Sequence, residues 1–357
     1  MKISFCTVCM NRLHHLKKTL PKNLEDNVDY GNLEYVVVNY NSQDELDEWI
    51  KDHLKNYLSD GILKYYKTTE PKAFYMSHAK NVAAKLATGD VICNIDADNF
   101  TGYGFARYVS SEFAKNKNIF LAVNQNTAPG DCFGRICMWK NDFTIVKGYD
   151  ESMKGYGFED IDLWNRLELL GNEPKFIENG EFLQAISHHD NERLSNEPNN
   201  MGIYEVYINY INHAISEFLL LFKNKEFRMG KNLIYRLQNS ESLDNLFFDT
   251  KTFEYPNGLV NDTWIEGTWS DTVNGIKLTK RNGQVNEFTR IGKDLSISKD
   301  KDEPTIYKIA NDFNKKSVVF FYSQINNRIR MQFNKDSKLI SVNQNGYGEV
   351  SLIENQF

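Results

Sequence analysis

Over the first two hundred residues, short apolar runs alternate with segments whose apolar residues recur every three or four positions. The first pattern predicts buried strands, and the second predicts amphipathic helices. Runs such as Val36-Val37-Val38 show no polar alternation, which is typical of strands covered on both faces by helices. The pattern therefore predicts an α/β domain with a mostly parallel sheet over residues 1–200.

The individual elements follow from the same periodicity and from the glycines that end the helical patterns. The predicted strands are Lys2–Cys9, Leu33–Asn39, Ile62–Tyr66, Asp90–Ile95 and Ile119–Val123. The predicted helices cover residues 42–60, Ser77–Ala87, Phe105–Lys115 and Asp160–Leu170.

After residue 200 the pattern changes twice. Val206, Tyr210 and Phe218 lie on one side of a helical pattern, which predicts a helical neck over residues 201–252. From residue 253, β-rich runs alternate with Asn-Gly turn signals and predict a small antiparallel all-β module over 253–357. The predicted β-rich runs are Ile276–Thr279, Thr305–Ile309, Ser317–Tyr322, Arg328–Phe333 and Leu339–Val342. Aromatic residues of this module, such as Trp264 and Trp269, could stack on sugar rings or fill its core.

Composition narrows the class of protein. The chain has 357 residues, 41% of them hydrophobic, and a formal net charge of -6, which excludes wholesale disorder and a basic nucleic-acid surface. No apolar run approaches the roughly 20 residues of a membrane span, and the N-terminus lacks a signal-peptide layout. The five cysteines are an odd number and do not describe a disulfide framework. We therefore expect a cytoplasmic protein without bound nucleic acid.

The sharpest chemical feature is Asp96-Ala97-Asp98, at the carboxyl end of the predicted strand from Asp90. In open α/β sheets, ligands bind at that end of the strands. Two carboxylates two positions apart can share a divalent cation and a ribose, and such a cation would neutralise a diphosphate. A solvated acidic turn is the alternative interpretation.

A second feature is a glycine-rich loop, Gly155-Tyr156-Gly157, which runs into Glu159, Asp160 and Asp162. Glycines around an aromatic ring form a tight loop that can place the ring beside a ligand, and carboxylates are favoured at a helix start by its dipole. Ordinary acidic capping of a helix would give the same pattern. A third feature is His188-His189 after a strand-like run, which suits a metal, although a histidine is more often an ordinary surface or core residue.

Together these segments resemble one family, the nucleotide-sugar-dependent glycosyltransferases of the GT-A fold. The likeness is to family 2 enzymes and to the catalytic domain of β-1,4-galactosyltransferases, and it runs from Lys2 to about Asn200. Four ordered segments carry it. They are Cys9–Leu16, similar to the first nucleotide-binding loop; Val36–Asp44, where Asn39 and Tyr40 replace two acids of the family run; Ala79–Ala83; and Asp96–Asp98.

Two further segments match the galactosyltransferase motifs. Gly155–Asp160 is similar to the family's Gly-Trp-Gly-Gly-Glu-Asp, whose final aspartate is the catalytic base, and His188 with Asn196–Asn199 is similar to the histidine ligand and the Asn-Glu-Pro-Asn run. The family's methionine ligand falls on Ala185.

The resemblance implies a role for each matching residue. It implies that Mn²⁺ or Mg²⁺ is held by Asp98, His188 and Asp96, with His189 as an alternative to His188. It implies a catalytic base, Asp160, ionised at the reference aspartate pKa of about 3.9, and Glu159 beside it. The implied nucleotide-sugar contacts are Thr7, Asn11, Arg12, Asn39, Asn81 and Asp96. The implied acceptor or sugar contacts are Tyr156, Gly157 and Asp162.

The resemblance predicts an inverting hexosyltransferase that moves a sugar from a UDP-sugar to a hydroxyl of a glycan or lipid-linked glycan. By analogy, we expect a role in bacterial surface polysaccharide synthesis, in the cytoplasm or peripherally at the inner face of the membrane. Two alternatives remain. A nucleotidyltransferase also needs a metal and paired acids, and a non-catalytic glycan-binding protein could retain the same scaffold.

Overall fold

In the computed structural model, the chain divides into two units. The first consists of Met1–Glu197 together with Asn326–Phe357, and the second of Pro198–Ile325. The structure describes residues 1–124, 130–210, 215–233, 264–299 and 305–354. Residues 326–354 therefore belong with the first unit, whereas the sequence assigned them to the β-rich module.

The elements of both units are as follows. The strands are β1 (Ile3–Cys9), β2 (Leu33–Tyr40), β3 (Leu63–Thr68), β4 (Val91–Asn94), β5 (Asn99–Phe100), β6 (Ile119–Ala122), β7 (Cys137–Trp139), β8 (Glu173–Phe176), β9 (Gln184–Ala185), β10 (Ile203–Tyr210), β11 (Ile215–Phe222), β12 (Glu226–Leu233), β13 (Ile265–Asp271), β14 (Gly275–Lys280), β15 (Val285–Ile291), β16 (Ser296–Ser298), β17 (Tyr307–Lys308) and β18 (Leu352–Glu354). The helices are α1 (Leu13–Asn27), α2 (Leu46–His53), α3 (Lys55–Ser59), α4 (Met76–Leu86), α5 (Phe105–Lys115), α6 (Lys140–Ile145), α7 (Glu159–Leu169), α8 (Asp190–Arg193), α9 (Pro198–Gly202) and α10 (Asp312–Asp336).

The first unit is built on a mixed eight-stranded sheet in the order β18-β3-β2-β1-β4-β7-β6-β8. Its centre is parallel, because β1 pairs with β2 and β4, and β2 pairs with β3. Val37 packs in one core cluster, whereas Val36 and Val38 pack in another, so this strand is buried on both faces. The predicted α/β fold class is confirmed. The helix predicted over 42–60 begins at Leu46 and is divided at Leu54.

The second unit contains an antiparallel sheet in the order β16-β15-β14-β13-β12-β11-β10-β17. The predicted antiparallel all-β region is thus confirmed, and Asn282-Gly283 forms its β14–β15 turn. Trp269 is buried in the core of this sheet, which supports the core-filling interpretation of that side chain.

The predicted helical neck is wrong over residues 204–222, which form strands β10 and β11. Tyr207 and Leu219 pack in one core cluster, whereas Val206 and Phe218 pack in the other. Because both faces are buried, the polar alternation that marks a half-buried strand is missing. Residues 234–252 lie outside the described residues.

The C-terminal β prediction is also wrong in part, because Ser317–Tyr322 and Arg328–Phe333 lie in the long helix α10. Their β-branched and aromatic residues favour strands, but Val318, Tyr322 and Ile325 are buried at helical spacing, so tertiary packing overrides local preference. Leu339–Val342 forms no regular strand. In the described ranges, no helix combines the length and apolarity needed to cross a bilayer.

Candidate active site and metal centre

The two aspartates of the Asp96-Ala97-Asp98 turn follow the central strand β4 and approach different partners. The Nε2 of His188 lies 2.7 Å from Oδ2 of Asp98. The carboxylate of Asp96 instead accepts a hydrogen bond from the side chain of Asn94 at 3.0 Å and lies against Gly134. The turn thus connects two neighbouring groups of polar side chains.

The first group has the donors of a metal centre. Strand β5 pairs with β9, and the amide of Ile186 donates to the carbonyl of Asp98 at 2.9 Å, which holds His188 beside Asp98. The ligand atoms of His15, Asp98 and His188 all lie within 4.8 Å of one another. Imidazole nitrogen with carboxylate oxygen is a donor set that fits Mn²⁺. In this arrangement Asp96 and the exposed His189 lie outside the group.

His15 was not predicted as a ligand. It lies in the first turn of α1, is only 5% exposed, and its ring stacks on that of His188 with 5.3 Å between centroids. Burial lowers the pKa of His15, and the neighbouring His14 lowers it further. The only sequence signal was its position in the Cys9–Leu16 segment, which the resemblance assigned to the nucleotide.

The second group surrounds the predicted base. Lys80 Nζ donates to Asp160 Oδ1 at 2.8 Å and to Glu159 Oε1 at 3.0 Å. The side chains of Lys80 and Glu159 are each 3% exposed, whereas Asp160 keeps 21% of its surface exposed. A Cβ atom at Gly134 would lie 2.6 Å from Asp96 Oδ2 and 3.3 Å from Asp160 Oδ2. Both carboxylates therefore face one glycine, and Asp160 remains accessible.

Burial changes the ionisation of this group. It raises the pKa of Asp160 to about 7, against the opposing charge of Lys80 and with the help of Glu159 and Asp96. The expectation of an aspartate at its reference pKa is therefore corrected. Burial works against the charge on Lys80, but Asp160 and Glu159 outweigh it and hold the Lys80 pKa well above its usual value.

The glycine loop before α7 is fixed by a side chain from α10. Asn327 Nδ2 donates to the carbonyls of Gly155 and Gly157 at 3.0 and 2.8 Å. Gly157 has a φ of 90°, a conformation that favours glycine. Tyr156 between them is half-buried, and burial raises its pKa to about 12.

Asp162 differs from its implied role at the acceptor. It is 1% exposed, accepts from Arg166 Nε at 2.7 Å, and accepts from Asn334 Nδ2 at 2.8 Å. Because a carboxylate so enclosed has no surface for a ligand, Asp162 instead fixes α7 to the end of α10.

The implied nucleotide contacts are mostly engaged within the protein. Thr7 Oγ1 donates to the carbonyl of Ile95 at 2.8 Å. Asn39 Nδ2 donates to Asp47 at 2.7 Å, and Asn81 Nδ2 donates to the carbonyl of Tyr149 at 2.9 Å. These three buried side chains hold the loops around the strand ends in place.

Asn11 and Arg12 lie in the loop after β1 and are more accessible. The Asn11 side chain receives the amide of Gln43 at 2.6 Å and donates to Asn196 at 2.9 Å. Arg12 forms an ion pair with Glu192. The Asn196–Asn199 run is thus joined to the first loop, as two segments of one site would be.

Family models match two adjacent segments of the chain. Residues 4–131 match glycosyl transferase family 2, and residues 125–189 match the N-terminal domain of galactosyltransferase. The first segment contains the Asp96–Asp98 turn, and the second contains Asp160 and His188. The resemblance to glycosyltransferases is confirmed.

Solved structures with a similar backbone include three glycosyltransferase-type proteins. S. aureus TarS residues 1–349 has 15% identity and a TM-score of 0.42, with 50% of this chain and 58% of that one covered. Mannosyltransferase PcManGT from Pyrobaculum calidifontis, with GDP-Man and Mn²⁺, has 15% identity and a TM-score of 0.42 over 49% and 54% of the two chains. A Drosophila β-1,4-galactosyltransferase 7 mutant with manganese, UDP-Gal and xylobiose has 12% identity and a TM-score of 0.37 over 56% and 75%. This glycosyltransferase-like chain spans little more than half the length of the first two. No curated protein sequence gives a significant match.

Proposed function

We propose that the protein is a metal-dependent, inverting glycosyltransferase that transfers a sugar from a UDP-sugar to a hydroxyl of a glycan acceptor. One observation carries the proposal. A partly exposed carboxylate, Asp160, faces the same glycine as Asp96, and a metal-type ligand group begins two residues later at Asp98. A base and a cation site thus meet at the carboxyl end of β4, where α/β sheets bind ligands.

The ligand group suits the donor diphosphate. Asp98 and His188 would hold Mn²⁺ or Mg²⁺, and that ion, when bound, would neutralise the charge that develops as UDP departs. Asn11 and Arg12 would contact the nucleotide from the loop after β1. Thr7, Asn39 and Asn81 would shape this pocket through their internal hydrogen bonds. Asp96, between the two groups, would approach the ribose.

Asp160 would accept the proton of the acceptor hydroxyl as that oxygen attacks the sugar. A single attack from the face opposite UDP inverts the anomeric configuration. Lys80 and Glu159 would keep the base in place, since both are buried and bonded to it or to its partner. Tyr156, in the loop that Asn327 fixes, would stack on a sugar ring, with Gly157 beside it.

The acceptor class follows from the resemblance. A glycan or lipid-linked glycan of a bacterial surface polysaccharide would supply the hydroxyl, and peripheral contact with a membrane would bring a lipid-linked one within reach.

The test is a panel of UDP-sugars assayed for UDP release with and without Mn²⁺, followed by product anomer analysis. Metal-dependent UDP release with inversion is the expected result. Formation of a UDP-sugar from UTP and a sugar phosphate would identify a nucleotidyltransferase instead. Glycan binding without turnover of any donor would indicate a non-catalytic glycan-binding protein.

The pH dependence provides a separate prediction. Because Asp160 must be ionised to act as a base, kcat/KM should fall as the pH falls through its pKa of about 7. Lys80 lowers that pKa, so Lys80→Met should move the acid limb of the profile to higher pH. Lys80→Arg keeps the charge and should keep the limb near its original position.

The control is Lys85→Met, on the same helix but 47% exposed and paired with Glu349. It should leave the profile unchanged. An acid limb that stays in place in folded Lys80→Met would show that this lysine does not set the ionisation of the base.

A further inference from the structure

We infer that His15 is a third protein ligand of the cation, so that two imidazoles and one carboxylate select Mn²⁺ over Mg²⁺. The inference rests on the proposed function only for the purpose of the ion. The ligands are His15, Asp98 and His188.

The geometry is that of a shared ion. Ligands about 2.1 Å from one ion lie about 3 Å apart when adjacent and about 4.2 Å apart when opposite. The Asp98–His188 distance is 2.7 Å, and all three ligand atoms lie within 4.8 Å of one another. Small side-chain adjustments would place one ion between them.

Three separate elements supply these ligands. His15 comes from the first turn of α1, Asp98 from the turn after β4, and His188 from the segment after β9. The Nδ1 atom of His188 is buried and has no hydrogen-bond partner in the described part of the chain. A buried histidine pair beside a carboxylate is more costly than apolar packing unless those polar atoms gain a partner.

A second possible ligand group shares His15 but is less suited to a cation. It consists of His14, His15 and Glu192. His14 is already bonded to Glu192 at 2.7 Å, and the guanidinium of Arg12 pairs with the same carboxylate. Because Arg12 supplies a positive charge there, a metal ion is favoured on the Asp98 side.

The donor atoms decide the selectivity. Mg²⁺ prefers oxygen ligands and binds proteins through carboxylates and phosphates. Imidazole suits transition ions, whose affinity for nitrogen ligands exceeds that of the hard cations. Two nitrogens among three donors should therefore favour Mn²⁺ before any nucleotide binds.

The experiment measures Mn²⁺ binding to the protein alone, by the electron paramagnetic resonance signal of the free ion, with Mg²⁺ as competitor. His15→Gln should weaken Mn²⁺ binding by at least about tenfold. His14→Gln, one residue away and exposed, is the matched control and should change it little. His15→Asp should keep an ion bound but lower the Mn²⁺ preference over Mg²⁺, a change that a merely packing role would not produce.

Each outcome is decisive once thermal unfolding shows that a variant is folded. Unchanged Mn²⁺ affinity in His15→Gln, or equal losses in His15→Gln and His14→Gln, would overturn the inference. If His15→Gln does not fold, the Mn²⁺ to Mg²⁺ ratio of His15→Asp decides alone, and an unchanged ratio would overturn it. His15-dependent Mn²⁺ binding without UDP release from any donor would contradict the proposed function and leave this site standing.

Discussion

Replacing Asp160 by asparagine should lower kcat by roughly 10²–10⁴-fold, the range expected for a positioned base. The amide keeps the shape of the carboxylate and can still meet Lys80, but it cannot accept the acceptor proton. Donor affinity should change little, because Asp160 lies in the group at Gly134 and not among the ligand atoms around Asp98. Steady-state kinetics with varied UDP-sugar separates the two effects.

Glu168→Gln is the matched control for this variant, since Glu168 lies on the same helix but is exposed. It should retain wild-type turnover. Near-normal turnover in Asp160→Asn, or a product with retained anomeric configuration from the native protein, would contradict the role of Asp160.

Replacing Asp98 by alanine should abolish detectable transfer and weaken both Mn²⁺ binding and Mn²⁺-dependent UDP binding. The carboxylate is the one oxygen donor of the ligand group with His15 and His188, so its loss removes the anionic ligand. The fold should survive because Asp98 follows a strand end and is partly exposed. Calorimetric titration of Mn²⁺ and UDP, with an unfolding scan of the same sample, measures each effect.

Asp90→Ala is the control for Asp98→Ala, because Asp90 precedes the same strand at its opposite end. It should leave metal and nucleotide binding intact. Transfer that persists in EDTA, or in Asp98→Ala, would remove the metal from the mechanism.

Local pattern was sufficient for most of the first unit. The stripe on α5 and the apolar run of β2 depend only on neighbours along the chain, and the predicted helix Phe105–Lys115 has the observed bounds. The pattern failed where burial is two-sided, as in β10, or where packing overrides β preference, as in α10. Periodicity reports one exposed and one buried face, and neither element offers that contrast.

The candidate site divides in the same way. The sequence identified Asp98, Asp160 and His188 because each lies in a short motif. It did not identify His15 as a ligand or Lys80 as the partner of the base, since their meaning depends on residues 83 and 80 positions away. The raised pKa of Asp160 also required the structure, because burial causes it and no spacing along the chain encodes burial.

The order in which the polypeptide is made bears on how this site can form. Asn334 donates to Asp162 across a separation of 172 residues, and the same side chain donates to Asp150. At a synthesis rate of roughly 5–20 residues per second, Asp162 would await that partner for roughly 10–30 s. During that time the segment carrying Asp160 lacks the clamp formed by Asn327 and Asn334 on the ribosome. The second unit is synthesised within the same interval, so a nascent chain would acquire its β sheet before its catalytic loop is secured.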